Sequence, residues 1–144
     1  MVMSSIKINT GLKTFDIEDE YGNILGQISI NPSDINLFEK ANKARENILR
    51  QISTIDDMDS DKMSNEDIYK VLQDTDKFIK NEIDNLLGAG VSDIVFKGNC
   101  LNTVNGITLA ENFLSAILPI ISQEINKEVS KSEERMSKYL DTVQ

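Results

Sequence analysis

The sequence predicts a single α+β domain over residues 1–144, mostly helical, in which an N-terminal β-hairpin packs against two to three long helices. Apolar residues alternate with polar ones within residues 6–30, as they do in half-buried strands. Over residues 32–121 they recur instead at three- and four-residue steps, which predicts a helical core. Residues 122–144 are mostly charged, so we expect a C-terminal helix or tail that projects from this core.

The hairpin is predicted from two alternating runs. Phe15 and Ile17 share one face of the first run. One face of the second run carries three isoleucines, Ile24, Ile28 and Ile30. The residues between the two runs favour a turn, Glu20-Tyr21-Gly22-Asn23. Ile6 and Ile8 also alternate with polar residues, so a third short strand stays open as an alternative.

The first long helix is predicted to span residues 32–55. Asn31 suits the N-cap, and Pro32 suits the first helical position because the N–H that it lacks has no helical partner there. An apolar stripe follows at helical spacing and is interrupted by Asn42 and Arg45. The members of this stripe are Ile35, Phe38, Ala41, Ile48, Ile52 and Ile55.

The second long helix is predicted to follow an acidic connector at residues 56–67. Ser64 and Asp67 resemble a capping box at its start, and Gly88 is the expected stop. Two shorter features come next, a helical turn or two at residues 92–96 and a polar loop at residues 98–106.

The third long helix is predicted to begin at a second candidate capping box, formed by Thr108 and Glu111. Pro119 lies inside the helical pattern that follows. Because proline lacks a backbone donor and clashes with the preceding turn, we expect either a kink or a new helix that starts there.

The composition excludes several classes of chemistry. The chain carries a formal net charge of −9, no His and one Cys. Without imidazole, Ser-His-Asp and Cys-His catalysis are excluded, as is the commonest zinc ligand. We therefore predict a protein that is not an enzyme and that needs neither cofactor nor metal.

The single thiol and the hydropathy pattern bear on location. One cysteine cannot close an intramolecular disulfide, and no run is apolar enough to span a bilayer. We expect a cytoplasmic protein without a membrane partner. The negative charge disfavours nucleic acid as a partner.

The negative charge is concentrated in two segments. Residues 16–20 carry a net charge of −4 and residues 56–67 carry −5, whereas the rest of the chain is balanced. This distribution favours a role in solubility and in exclusion of wrong partners over an extended polyanionic face.

A calcium loop is one alternative for the acidic connector. Asp57, Asp59 and Asp61 have the spacing of its first ligands, but Lys62 and Ile68 occupy the positions that need Gly and Glu. We interpret the segment as an exposed connector.

Three other patterns also have simpler interpretations. Gly88-Ala89-Gly90 is interpreted as a helix stop, since a dinucleotide loop would follow a strand. Asp16 and Glu18 lie on the solvent face of a strand, outside a cleft that could raise the pKa of one of them for glycosidase-like catalysis. Cys100 lies in the predicted polar loop with Lys97 as an isolated nearby cation, so we interpret it as an unreactive loop cysteine.

The apolar run around Pro119 is the predicted partner-binding surface. It is apolar on almost every side, which exceeds what one helix face in a small domain needs. A role in the core is the alternative for the same residues. The predicted partner-binding residues are Phe113, Leu114, Ile117, Ile120 and Ile121.

Two stretches of the chain resemble the tail assembly chaperones of long-tailed phages and prophages of Gram-positive bacteria. The C-terminal likeness comprises Val95-Phe96-Lys97-Gly98 and residues 106–121, with Glu111-Asn112-Phe113-Leu114 at their centre. The N-terminal likeness comprises Lys13-Thr14-Phe15-Asp16-Ile17, Gly22-Asn23-Ile24-Leu25-Gly26-Gln27-Ile28 and Asn31-Pro32-Ser33-Asp34. The acidic connector and the charged tail lie outside this likeness.

This resemblance implies a helical or mixed α/β chaperone that acts in the host cytoplasm. It implies two partners, the tape measure protein, which the chaperone keeps soluble, and the tail tube protein, which it helps to recruit. A homo-oligomer is compatible with this role.

Two other functions stay open at the level of sequence. The net charge is compatible with an acidic phage protein that mimics DNA and occupies a basic surface of a host nucleic-acid enzyme. The phage-like character is also compatible with a structural head–tail component.

Overall fold

The computed structural model describes the backbone of residues 3–143 and the side chains of residues 3–137. It confirms a mostly helical α+β fold with an N-terminal hairpin and a long C-terminal helix. A short 3₁₀-helix (Ser60–Lys62) lies in the acidic connector. The other elements, in chain order, are β1 (Lys13–Glu18), β2 (Ile24–Ile30), α1 (Leu37–Asp56), α2 (Asn65–Leu87), α3 (Val91–Val95), β3 (Thr103–Val104), β4 (Ile107–Thr108) and α4 (Leu109–Val143).

The hairpin presents Phe15 and Ile17, both half-buried, towards the core, as predicted. Its register changes between Ile17 and Glu18, which pair with Gly26 and Ile24 respectively. Leu25 is therefore an extra residue on β2, and such a bulge shifts the face on which the following side chains lie. The prediction that Ile24 shares the buried face is wrong, because this shift leaves Ile24 exposed.

The predicted third strand is absent from the described chain. Residues 3–12 form no strand, and Ile6 and Ile8 are 90% and 77% exposed. Asn31 Nδ2 donates to the Thr10 carbonyl, and a Cβ on Gly11 would lie 2.4 Å from Ser33 Oγ. Because Lys13 pairs with Ile30, these contacts continue the line of the β1–β2 ladder. The chain before Gly11 therefore runs past the end of β2 and does not fold back beside β1.

Helix α1 begins at Leu37, five residues later than predicted. Asn31 Oδ1 accepts a hydrogen bond from the Ser33 N–H within a turn, and so Asn31 does not cap a helix. Asp34 Oδ1 accepts from the Asn36 N–H in the next turn. The buried stripe also differs from the predicted one and comprises Leu37, Ala41, Ala44, Ile48 and Ile52.

The ends of the later helices follow the predicted caps. Ser64 Oγ accepts a hydrogen bond from the Asp67 N–H, and Thr108 Oγ1 accepts one from the Glu111 N–H. Helix α2 ends at Leu87, and Gly88 follows as its C-cap with a φ of 121°, which suits glycine.

Helix α4 continues through Pro119, so the alternative that a new helix starts there is wrong. Pro119 and Ser115, four residues earlier, are both exposed. Water can therefore hydrogen-bond the Ser115 carbonyl that the proline leaves without a helical donor. The boundary expected between residues 121 and 122 falls inside this one helix. Residues 131–137 are exposed throughout, as expected of a projecting C-terminal helix.

The core lies where α1, α2 and α4 meet the inner face of the hairpin and α3. Phe96 and Phe113 pack edge to face with their ring centroids 5.9 Å apart. The most deeply buried large side chains are Ile48, Ile79, Ile83 and Ile121.

A chain of hydrogen bonds links the middle of α2 to the start of α4. The buried Asp76 carboxylate accepts from the Cys100 N–H at 2.8 Å and pairs with Lys80 Nζ at 3.0 Å. The Cys100 carbonyl accepts from the Ala110 N–H at 3.0 Å, and the Asn102 carbonyl accepts from the Leu109 N–H at 2.8 Å. The first turn of α4 is thereby held by a loop that Asp76 anchors.

We expect Asp76→Ala to lower the free energy of unfolding by about 2–3 kcal/mol, because it leaves the buried Cys100 N–H without an acceptor. Asp76→Asn retains an acceptor oxygen and is expected to lower it by only about 1 kcal/mol. Urea unfolding followed by circular dichroism measures both changes.

The matched control is Asp74→Ala, an exposed position on the same helix, which is expected to change stability by less than about 0.5 kcal/mol. Equal losses for Asp74→Ala and Asp76→Ala would contradict the anchoring role of Asp76.

Candidate protein-interaction surface

The structure places four of the five predicted partner-binding residues in the core. Phe113, Leu114, Ile117 and Ile121 are buried, and Ile120 is half-buried. For these four residues the burial favours the alternative role in the core over a partner-binding surface. The apolar side chains of this segment belong to the core that α4 shares with α1 and the hairpin, and Phe113 also packs against Phe96, which follows α3.

Three of the five residues still line a groove. Phe113, Ile117 and Ile120 form one wall of a cavity of about 370 Å³, and residues 16–20 of β1 and its turn form the opposite wall. We call this cavity the hairpin groove. Its floor is apolar and its rim is acidic, with Asp16 hydrogen-bonded to Gln27 Nε2 at 3.0 Å.

A larger groove of about 690 Å³ lies between the start of α1 and the distal half of α4. We call it the distal groove. Its α1 side carries Ile35, which is 93% exposed, and Phe38, which is 57% exposed. Its α4 side carries Val129, 49% exposed, and Met136, 57% exposed. Contiguous exposure of large apolar side chains typically marks an interaction site.

The α4 wall of the distal groove is a regular helical stripe. Ile125, Val129, Ser132 and Met136 follow one another at steps of four, three and four residues, so they lie on one face of the helix. Asp34, Glu128 and Glu133 also line the groove and give it a negative rim. The groove thus combines an apolar floor with acidic edges.

An ion-pair cluster holds α4 between the two grooves. Glu124, which is buried, pairs with Lys13 Nζ of β1 at 2.6 Å and with Lys127 Nζ at 3.3 Å. The hydrogen bond from Lys13, supported by Lys127, holds the pKa of the Glu124 carboxyl below its usual range. This cluster ties the C-terminal part of α4 to the hairpin.

Sequence reasoning missed the distal groove for an identifiable reason. Ile35 and Phe38 fit the helical spacing of α1, but the helix starts only at Leu37 and buries a different face. Val129 and Met136 stand apart in a charged segment. The pattern that could have predicted the groove is the helical spacing of Val129 and Met136 from Ile125, which continues an apolar face of α4 into the charged tail.

The other sequence patterns take simple places in the fold. Residues 56–67 are mostly exposed and form the connector between α1 and α2. Gly88 and Gly90, with positive φ, shape the turn between α2 and α3. Within the described residues, no three His, Cys, Asp or Glu side chains come together as a candidate metal site.

Cys100 lies in the predicted loop at residues 98–106, but its side chain is fully buried. The loop contributes its backbone to hydrogen bonds with Asp76 and Ala110, and so the cysteine side chain points into the core. Burial and the neighbouring Asp76 carboxylate raise the pKa of the Cys100 thiol to about 12. The raised pKa gives a physical reason to expect an unreactive thiol, because little of the reactive thiolate form is present near neutral pH.

Residues 25–144 match the model of a family described as a family of unknown function, DUF6673. The chain belongs to this family. In this DUF6673 protein the matched region contains most of β2 and the helices α1 to α4, and so it includes the α4 wall of each groove. Strand β1 lies before the matched region. No curated protein and no solved structure matches the chain. In the described part, no helix combines the length and the apolar character that crossing a membrane requires.

We expect the Cys100 thiol to react with Ellman's reagent far more slowly in the folded protein than in urea. The rise in its pKa from 9.0 to about 12 alone lowers the thiolate fraction about a thousandfold. Time-resolved absorbance measures both rates. Asp76→Ala should accelerate the native reaction because it releases the loop, whereas fast labelling of the unmodified folded protein would contradict the buried position.

Proposed function

We propose that this DUF6673 protein is a tail assembly chaperone of a long-tailed phage or prophage, and that it acts without catalysis in the host cytoplasm. In this proposal it binds and solubilises the tape measure protein and helps to recruit tail tube subunits. Two features support the proposal: the resemblance to such chaperones at both ends of the core, and the exposed distal groove. The groove is the single observation that carries it.

The distal groove fits an amphipathic helix as its ligand. Apolar side chains of the ligand would cover Ile35, Phe38, Val129 and Met136. Asp34, Glu128 and Glu133 at the rim would attract Lys and Arg residues that flank the apolar face of the ligand. We therefore propose that the client segment is helical, apolar on one face and basic along its edges.

The size of the groove suits reversible binding. Fully burying one large apolar side chain contributes about 1.5–3 kcal/mol. Association and the ordering of side chains oppose this gain by about 4–15 kcal/mol. Burying these four exposed side chains therefore supports an affinity weak enough for release, which a chaperone needs once its client has entered the tail.

The experiment is co-expression with a tape measure protein of a long-tailed phage of Gram-positive bacteria. We expect the wild-type chain to keep this client in the soluble fraction. Phe38→Asp combined with Val129→Asp places two carboxylates in the apolar floor, and it is expected to reduce the soluble client to the level seen without the chaperone. Densitometry of soluble and pelleted fractions measures the change.

The matched control is Tyr69→Asp, which removes an exposed aromatic side chain on α2 outside the groove. It is expected to leave the client soluble. If the wild-type chain fails to solubilise the client, or if the groove variant works as well as the wild type, the proposal is wrong.

The same preparation separates the two other functions. Co-purification of a host nucleic-acid enzyme that is lost at high salt would favour the DNA mimic, because residues 16–20 and 56–67 supply exposed negative charge. Detection of the chain in purified virions by mass spectrometry would favour a structural head–tail component.

A further inference from the structure

The N-terminal segment has the pattern of a strand but no strand partner in its own chain. Ile6 and Ile8 alternate with Lys7 and are largely exposed. The segment preceding β1 is held away from β1 by the contacts of Thr10 with Asn31 and of Gly11 with Ser33. A turn that folded it back beside β1 would need residues 9–12, which already have these other contacts.

Strand β1 has an open edge. Within the described residues, β1 pairs only with β2, and the two strands form a two-stranded sheet. A two-stranded hairpin is marginal by itself and gains stability from a third strand. The hairpin groove, between β1 and α4, lies against this strand.

We infer that residues 4–9 of a second copy of this chain add to β1 as an antiparallel third strand in the hairpin groove. In this register Lys7 of one copy lies opposite Asp16 of the other. Ile6 then faces the side of Ile17, and Ile8 faces the side of Phe15. Reciprocal exchange gives a closed two-fold dimer, in which both segments are covered.

The side chains on the two faces are complementary. Phe15 and Ile17 lie on the core face of β1, and Ile17 lines the groove together with Phe113 and Ile120. Ile6 of the second copy therefore enters the apolar part of the groove, and Ile8 comes to lie beside Phe15. Asp16 and Glu18 lie on the exposed face, where Lys7 arrives. A cross-strand pair of opposite charge is favourable in this position.

Length also fits. Residues 4–9 form a six-residue segment, as long as β1. Strand addition supplies backbone hydrogen bonds for affinity, while alternate side chains select the partner. This inference concerns self-association at the hairpin groove and does not depend on the client proposed for the distal groove.

The test is a directed disulfide between two single variants. Equal amounts of the Lys7→Cys chain and the Asp16→Cys chain are mixed, oxidised and separated on a non-reducing gel. We expect a covalent heterodimer whose peptide map joins positions 7 and 16. The native Cys100 is buried, so the wild-type chain should give no covalent pair under the same conditions.

The matched control replaces Asp16→Cys by Glu46→Cys, an exposed position on α1. Heterodimer formation no greater than with Glu46→Cys would overturn the inference. A chain with both Lys7→Cys and Asp16→Cys that closes into a covalent monomer would also overturn it, because the strand would then pair within one chain.

Charge exchange gives a second measurement. Lys7→Asp should raise the dimer dissociation constant in sedimentation equilibrium roughly tenfold, since the dimer contains the pair twice. Adding Asp16→Lys should restore it, whereas Phe38→Asp in the distal groove should leave it unchanged. A wild-type chain that sediments as a monomer at every concentration would overturn the inference.

Discussion

The placement of α4 depends on one buried carboxylate. Asp76 anchors the loop that contains Cys100. The backbone carbonyls of Asn102 and Cys100 in this loop accept hydrogen bonds from the first two N–H groups of α4. The rotation of α4 about its axis decides which of its side chains meet the hairpin and which meet solvent. The face of α4 that carries Leu114 in the core therefore continues into the distal groove at Ile125 and Val129, because the helix starts where Asp76 holds it.

The two halves of α4 divide between stability and interaction. Up to Ile121, the helix supplies buried apolar side chains to the core, among them Phe113 and Ile117. Beyond the Lys13–Glu124 pair, the face of α4 that lines the distal groove is apolar, and the rest of the chain leaves its side chains largely exposed. A helix that is stabilised at one end and exposed at the other can present a binding face without weakening the core.

The sequence predicted well those features that arise from local interactions. The hairpin and the helix caps at Ser64 and Thr108 depend on residues within a few positions of one another, and these were confirmed. The start of α1 was missed because the Asn31 and Asp34 side chains each accept a hydrogen bond from the N–H two residues later, which forms two turns where the first helical turn was expected.

Burial was harder to predict than secondary structure. The core position of Cys100 depends on Asp76, twenty-four residues earlier, and a loop sequence gives no sign of this contact. For the same reason the apolar surplus around Phe113 resembled a free surface. Three elements pack around this segment, and periodicity in one helix does not show what lies on its other sides.

In the function proposed above, the face formed by the start of α1 and the distal half of α4 binds a helical client. Hydrogen–deuterium exchange of the chain, with and without a purified helical segment of the tape measure protein, tests it most directly. Binding in the distal groove should slow exchange at residues 34–38 and 125–136 and leave the connector at residues 56–64 unchanged. Unchanged exchange at both groove walls, or protection confined to the connector, would contradict it.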